Sequence, residues 1–164
     1  MLTPRQIIPP LTARTAGGRT VQAWDYKQKR ALLIAFLHAE CTECDAFLAR
    51  LLRDAARLAD LEATALVVLP ATPLPQVSVG LPPHVVVAAD VTGRSRRAFL
   101  GQDQFDSRAP SRGVGVFVTD RFGELYAQWY GGHDALPGLP DAFGWLHQIQ
   151  LACDECGAPH WPVD

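Results

Sequence analysis

Residues 31–44, Ala31-Leu32-Leu33-Ile34-Ala35-Phe36-Leu37-His38-Ala39-Glu40-Cys41-Thr42-Glu43-Cys44, join an uninterrupted apolar run to a C-x-x-C pair. An apolar stretch with no polar alternation, Ala31 to Leu37, fits a central strand covered on both faces. Beyond the pair, Phe47, Leu48, Leu51, Leu52, Ala55, Leu58 and Ala59 recur at helical spacing, with Arg50, Arg53, Asp54 and Arg57 among the positions between them. This predicts a helix of about 18 residues starting near the cysteines. Ala65-Leu66-Val67-Val68-Leu69 is a second buried strand, and a strand, helix, strand succession normally makes a right-handed parallel crossover.

Working outward, Leu11 to Thr15 and Arg19 to Trp24 flank the Gly17-Gly18 turn and predict a hairpin leading into the core. A proline-rich loop runs from Pro70 to Pro83; His84 to Ala89 is a short apolar run, and Arg94 to Leu100 a brief helix. The arginines of that helix, Arg94, Arg96 and Arg97, are expected on a solvated face. Val114 to Thr119 and Glu124 to Trp129 flank Asp120-Arg121-Phe122-Gly123, which has the residues of a hairpin turn. A last helix over Leu139 to Ala152 is expected to bury Phe143, Leu146 and Ile149, with Trp145 beside them. The chain shows no internal repeat. It divides into one α/β domain, residues 1–152, and a cysteine-bearing tail, residues 153–164.

The length of 164 residues suits one domain, and 48% hydrophobic with 20% charged residues is an ordinary globular composition. A net charge of −2 argues against a nucleic-acid partner, which normally leaves a basic footprint. The start, Met1-Leu2-Thr3-Pro4-Arg5-Gln6, lacks the apolar stretch of a signal peptide, and no run is long enough to span a membrane. A cytoplasmic protein is expected. Its four cysteines fall into two C-x-x-C pairs, which in a reducing compartment point to redox chemistry or metal binding.

A thiolate is the attacking species in thiol–disulfide exchange, so the site must stabilise negative sulfur. Cys41 stands where a helix N-terminus offers free backbone N–H groups and the positive end of its dipole. Cys44, one turn further in, is expected to be more shielded and to act as the resolving thiol. His38 would add positive charge if protonated, although a solvent-facing strand-end histidine is the blander expectation. Glu40, Glu43 and Asp45 push the other way, because carboxylates beside a thiolate disfavour its charge.

The order strand, C-x-x-C, helix, strand, helical piece, hairpin, helix resembles the thioredoxin superfamily over nearly the whole chain. Gly18-Arg19-Thr20-Val21, Phe36-Leu37-His38-Ala39-Glu40-Cys41 and Phe117-Val118-Thr119-Asp120-Arg121-Phe122-Gly123-Glu124-Leu125 look like recurring segments of its redoxin and peroxiredoxin-like (AhpC/TSA-type) branch. The resemblance implies a mixed central sheet flanked by helices, with the N-terminal hairpin as an extension. It also implies a thiol–disulfide oxidoreductase that uses Cys41 and Cys44, needs no cofactor at the redox site, and works on a protein or small-molecule disulfide with an external reductant. Around the pair it places His38, Glu40, Thr42, Glu43, Arg112, Gly113 and Val114 as substrate-binding or tuning residues. Three positions depart from the pattern. The Pro-x-x-x-Thr-x-x-Cys signature of peroxiredoxins counts back from Cys41 to His38 and Ile34, so any peroxide turnover is expected to be slow. Val114 stands where thioredoxins carry a cis-proline and peroxiredoxins an arginine, with Arg112 nearby, and Ala35 stands in place of the thioredoxin buried acid.

Cys153-Asp154-Glu155-Cys156-Gly157 with His160 looks like a zinc knuckle, whose fourth ligand would be Asp164, His147 or a residue of a second subunit. A second redox pair and plain surface thiols are the competing readings, and a homodimer stays open. The alternative function is therefore a non-catalytic thioredoxin-like binding or assembly module held by a zinc-bearing tail.

Overall fold

The computed structural model describes residues 2–38, 41–70, 80–101 and 113–152. The apolar run becomes β3 (Ala31–Phe36), an interior strand of a seven-stranded sheet. Before it come β1 (Thr12–Thr15) and β2 (Thr20–Gln22); after it come α1 (Thr42–Arg53), a short α2 (Arg57–Asp60), β4 (Ala63–Leu69), β5 (Val85–Ala89), α3 (Arg94–Leu100), β6 (Val114–Thr119), β7 (Leu125–Gly131) and α4 (Leu139–Leu151). The strand order is β2-β1-β5-β4-β3-β6-β7. Strands β3, β4 and β5 run parallel, whereas β6 is antiparallel to β3, β7 to β6, and the hairpin β1–β2 joins antiparallel at the β5 edge. The mixed sheet and the hairpin extension are those expected.

Alternation along β3 explains why it reads as continuously apolar. Leu33, Ala35 and Leu37 point to one face with Cys41, Cys44, Phe47, Leu51, Phe143 and Leu146, so α1 and α4 cover that side. Leu32, Ile34 and Phe36 point to the other, against Phe99, Leu100, Phe117 and the N-terminal hairpin residues Leu11 and Val21. A strand buried on both faces has no solvent side on which to place polar residues.

Two elements differ from expectation. The first helix is not one of 18 residues: it ends at Arg53, and residues 54–56 pass into α2 through i→i+3 bonds from Arg57 to Asp54, Leu58 to Ala55 and Ala59 to Ala56. The tighter turn still brings Ala55 and Leu58 onto the sheet, which is why the apolar spacing continues through the break. In α4, Phe143 and Leu146 are buried and Ile149 packs against them, but Trp145 is 40% exposed and takes no part in the core.

Candidate active site

Cys41 is the N-cap of α1, with extended backbone (φ −128°, ψ 111°), and its sulfur accepts the Cys44 backbone N–H at 3.2 Å. The cysteines form a disulfide with a Cα–Cα separation of 5.2 Å. The expected difference in shielding is absent: both are 2% exposed and belong to the same buried cluster as Leu37, Phe47, Val114 and Phe143. Thr42 and Glu43 occupy the exposed first positions of α1, and Glu43 Oε2 lies 3.8 Å from Cys41 Sγ.

His38, expected to face solvent, is half-buried. Its Nε2 sits 2.8 Å from Nε2 of His133, with the rings edge to face at 4.6 Å. One of these nitrogens must donate and the other accept, so at least one ring is neutral in this arrangement. His133 belongs to a 3₁₀ turn, His133–Ala135, placed just after β7, and its Nδ1 lies 4.0 Å from Glu43 Oε2. Cys41, Glu43 and His133 each present one donor atom within 4.8 Å of the others, a set that fits a divalent metal ion. Sequence reasoning missed His133. The signal was in the strand register: Phe36 pairs with Gly115 and Val114 with Gly131, so the chain leaving β7 arrives beside the chain leaving β3.

Val114 is fully buried in the same cluster as the two cysteines, and the Gly113 carbonyl accepts from Arg96. Arg96 corrects the solvated-face expectation. It is 1% exposed, and its guanidinium donates to the carbonyls of Leu37, Val68 and Gly113, at the ends of β3 and β4 and the start of β6. Its backbone N–H donates to the buried Asp90 carboxylate at 2.8 Å. Burial lowers the Arg96 pKa to about 10, against the opposing pull of Asp90, so the group stays charged near neutrality. Ala35 is fully buried in β3, with no acid in that place. Glu40, Arg112, Cys153, Cys156, His160 and Asp164 lie outside the described residues.

A C-x-x-C pair between the end of an interior strand and the start of a covering helix, on a mixed sheet of this order, defines a thioredoxin-like fold. No protein-family model matches the sequence, and a search of curated proteins finds no match. Solved structures do match. The mitochondrial 2-Cys peroxiredoxin from Plasmodium falciparum superposes with a TM-score of 0.69 over 90% of this chain and 94% of its own, at 9% identity. A chain from Chlorobium tepidum described as a putative thiol:disulfide interchange protein, DsbE, gives 0.66 over 93% of this chain and 100% of its own, at 16% identity. At such identities the likeness is one of fold. Among the described residues no helix is long and apolar enough to cross a membrane.

Proposed function

We propose that this chain is a thiol–disulfide oxidoreductase in which Cys41 attacks and Cys44 resolves. The observation that carries the proposal is the Cys41–Cys44 disulfide at the N-cap of α1, with the Cys44 N–H directed at the Cys41 sulfur. That donor and the helix dipole favour negative charge on Cys41. In the reducing direction the Cys41 thiolate attacks one sulfur of a substrate disulfide, forms a mixed disulfide and expels the other sulfur as a thiolate. Cys44, as thiolate, then attacks the Cys41 sulfur, closing the internal disulfide and expelling the second substrate thiolate. An external dithiol returns the pair to its reduced form. The substrate is a protein or small-molecule disulfide, and a cytoplasmic setting agrees with two C-x-x-C pairs in one chain.

Peroxide reduction is at most slow in this reading. The positions that peroxiredoxins give to threonine and proline hold His38, engaged with His133, and Ile34, buried in β3 away from the sulfurs. Both roles are tested by single-cysteine variants assayed with a dithiol and a model disulfide. Cys41→Ser should abolish turnover, and Cys44→Ser should accumulate a trapped mixed disulfide on Cys41. Equal turnover in the two variants, or trapping at Cys44 in place of Cys41, would remove the assignment.

A further inference from the structure

We propose that the reduced pair is also a metal site: Cys41, Cys44 and His133 bind a zinc-type divalent cation, with Glu43 as fourth ligand and His38 orienting His133. This goes beyond the exchange activity and rests on it only in needing a reducible pair. Metal and disulfide then exclude each other at the same two sulfurs.

The donor set is of the right kind and comes from two distant elements. Two cysteines three apart at a helix start are a common half of a closed zinc site, and an imidazole and a carboxylate complete it. Tetrahedral zinc, with sulfur at about 2.3 Å and nitrogen at about 2.0 Å, separates neighbouring donors by roughly 3.3 to 3.8 Å. In the structure Glu43 Oε2 is 3.8 Å from Cys41 Sγ and 4.0 Å from His133 Nδ1, and the three donors lie within 4.8 Å of one another. Bringing these three donors to metal distances takes shifts of about 1 to 1.5 Å, which the exposed Glu43 and His133 side chains can supply, and Cys44 Sγ, bonded to Cys41 Sγ, becomes a donor beside it once the pair is reduced. The second nitrogen of His133 already has a partner. Coordination through Nδ1 would leave Nε2 bonded to His38 at 2.8 Å, which is the outer-partner arrangement that orients a ligating histidine.

The chemistry balances. An external dithiol supplies two electrons and two protons, becomes a disulfide itself, and leaves Cys41 and Cys44 as thiols. The cation then displaces both protons to solvent and forms two metal–thiolate bonds. In reverse, an oxidising disulfide takes two electrons from the thiolates and is cleaved to two thiolates of its own. The Cys41–Cys44 bond re-forms and the cation is released.

The test uses the full chain carrying Cys153→Ser and Cys156→Ser, so that the tail contributes no thiolate. The protein is reduced with a phosphine, freed of reductant without oxygen, and titrated with cobalt(II) and then with zinc against a chromophoric chelator. We expect one cobalt per chain with thiolate charge-transfer and tetrahedral ligand-field bands, and at least about 100-fold weaker binding to the oxidised form. His133→Ala should change the ligand-field bands and weaken binding at least about tenfold, Glu43→Gln should weaken it several-fold, and His38→Ala by about 10- to 100-fold with the tetrahedral spectrum kept. Binding no tighter in the reduced than in the oxidised form, or His133→Ala and Glu43→Gln both matching the parent, would overturn the metal site. Thiol trapping of the same samples separates the two proposals. Fully reduced thiols without cobalt binding remove the metal site alone, whereas a pair that resists reduction removes the exchange function as well.

Discussion

At Arg96 one guanidinium serves three backbone carbonyls, Leu37, Val68 and Gly113, and lies 5.6 Å from the Phe36 ring centre. Replacing it by leucine relieves the cost of burying the charge but takes their side-chain donor from the Leu37 and Gly113 carbonyls, each worth about 1–3 kcal/mol, while the Val68 carbonyl keeps the Leu37 N–H at 3.1 Å. The stranded acceptors outnumber the single charge, so Arg96→Leu is expected to destabilise the fold by about 2–5 kcal/mol in a denaturant titration. Arg96→Lys should fall between, because an ammonium lacks the planar fork that reaches several carbonyls at once. A leucine variant as stable as the parent would show that desolvation cancels the hydrogen bonds. The sequence did carry a clue. Arg96 precedes Phe99 and Leu100 by three and four positions, so it shares their buried face of α3. What it lacked was the acceptor set, since Leu37, Val68 and Gly113 come from three separate parts of the chain. His133 was illegible for the same reason, whereas Cys41 and Cys44 were legible because their relation is local.

Among the elements, β6 and the hairpin after it carry the clearest expectations. A Cβ on Gly115 would stand 2.7 Å from Leu100 Cδ2, 3.0 Å from Phe117 Cε2 and 3.0 Å from Tyr130 Cβ. Gly115→Ala should therefore cost about 1–3 kcal/mol by overpacking between sheet and α3, read as a lowered denaturation midpoint. An unchanged midpoint would mean that Leu100 yields freely. In the β6–β7 turn, Asp120 Oδ1 accepts the N–H groups of Phe122 and Glu124, both at 2.8 Å, and Gly123 takes the left-handed conformation at φ 85°. Burial pushes the Asp120 carboxyl above its ordinary value, partly offset by those backbone bonds and by Arg5. Burial likewise raises Glu124, whose carboxylate pairs with Arg5 at 2.6 Å. With a folded pKa above the unfolded one, the unfolded chain ionises first as pH rises. The contribution of these groups to stability is then full below the unfolded values of 3.8 and 4.5 and is lost as pH climbs through the folded ones. Asp120→Asn keeps an acceptor oxygen but removes the titration. Its stability relative to the parent should rise between about pH 4 and pH 7 in paired denaturation series, and a flat or falling difference would contradict the sign.

For the molecule as a whole, the open relation is between the site and the tail. Helix α4 covers 13 residues, Leu139–Leu151, and at about 1.5 Å per residue carries the chain roughly 20 Å. It starts near the site, after the turn that holds His133, and Cys153 follows its end by two residues in the sequence. A disulfide needs Cα atoms within about 7 Å, and the two residues from Leu151 to Cys153 reach back only about 7 Å, so oxidised monomer should yield no Cys41–Cys153 peptide on mass-spectrometric mapping. Finding one in a monomer would mean that α4 undocks. The sequence by itself determined the order of elements, the double-faced central strand, both hairpins and the cysteine pair, because each depends on periodicity or turn chemistry within about 20 residues. Only the tertiary structure decided that Arg96 is buried, that His133 meets His38 and Glu43, and that Cys41 is as shielded as Cys44. The meeting of His133 with His38 arises from antiparallel pairing of β3 with β6 and β6 with β7, which brings the ends of β3 and β7 to the same edge of the sheet on either side of the start of β6, and Arg96 is buried because the ends of β3 and β4 and the start of β6 converge on it. A pattern along one strand fixes which face each side chain takes, but not which distant strand will lie beside it.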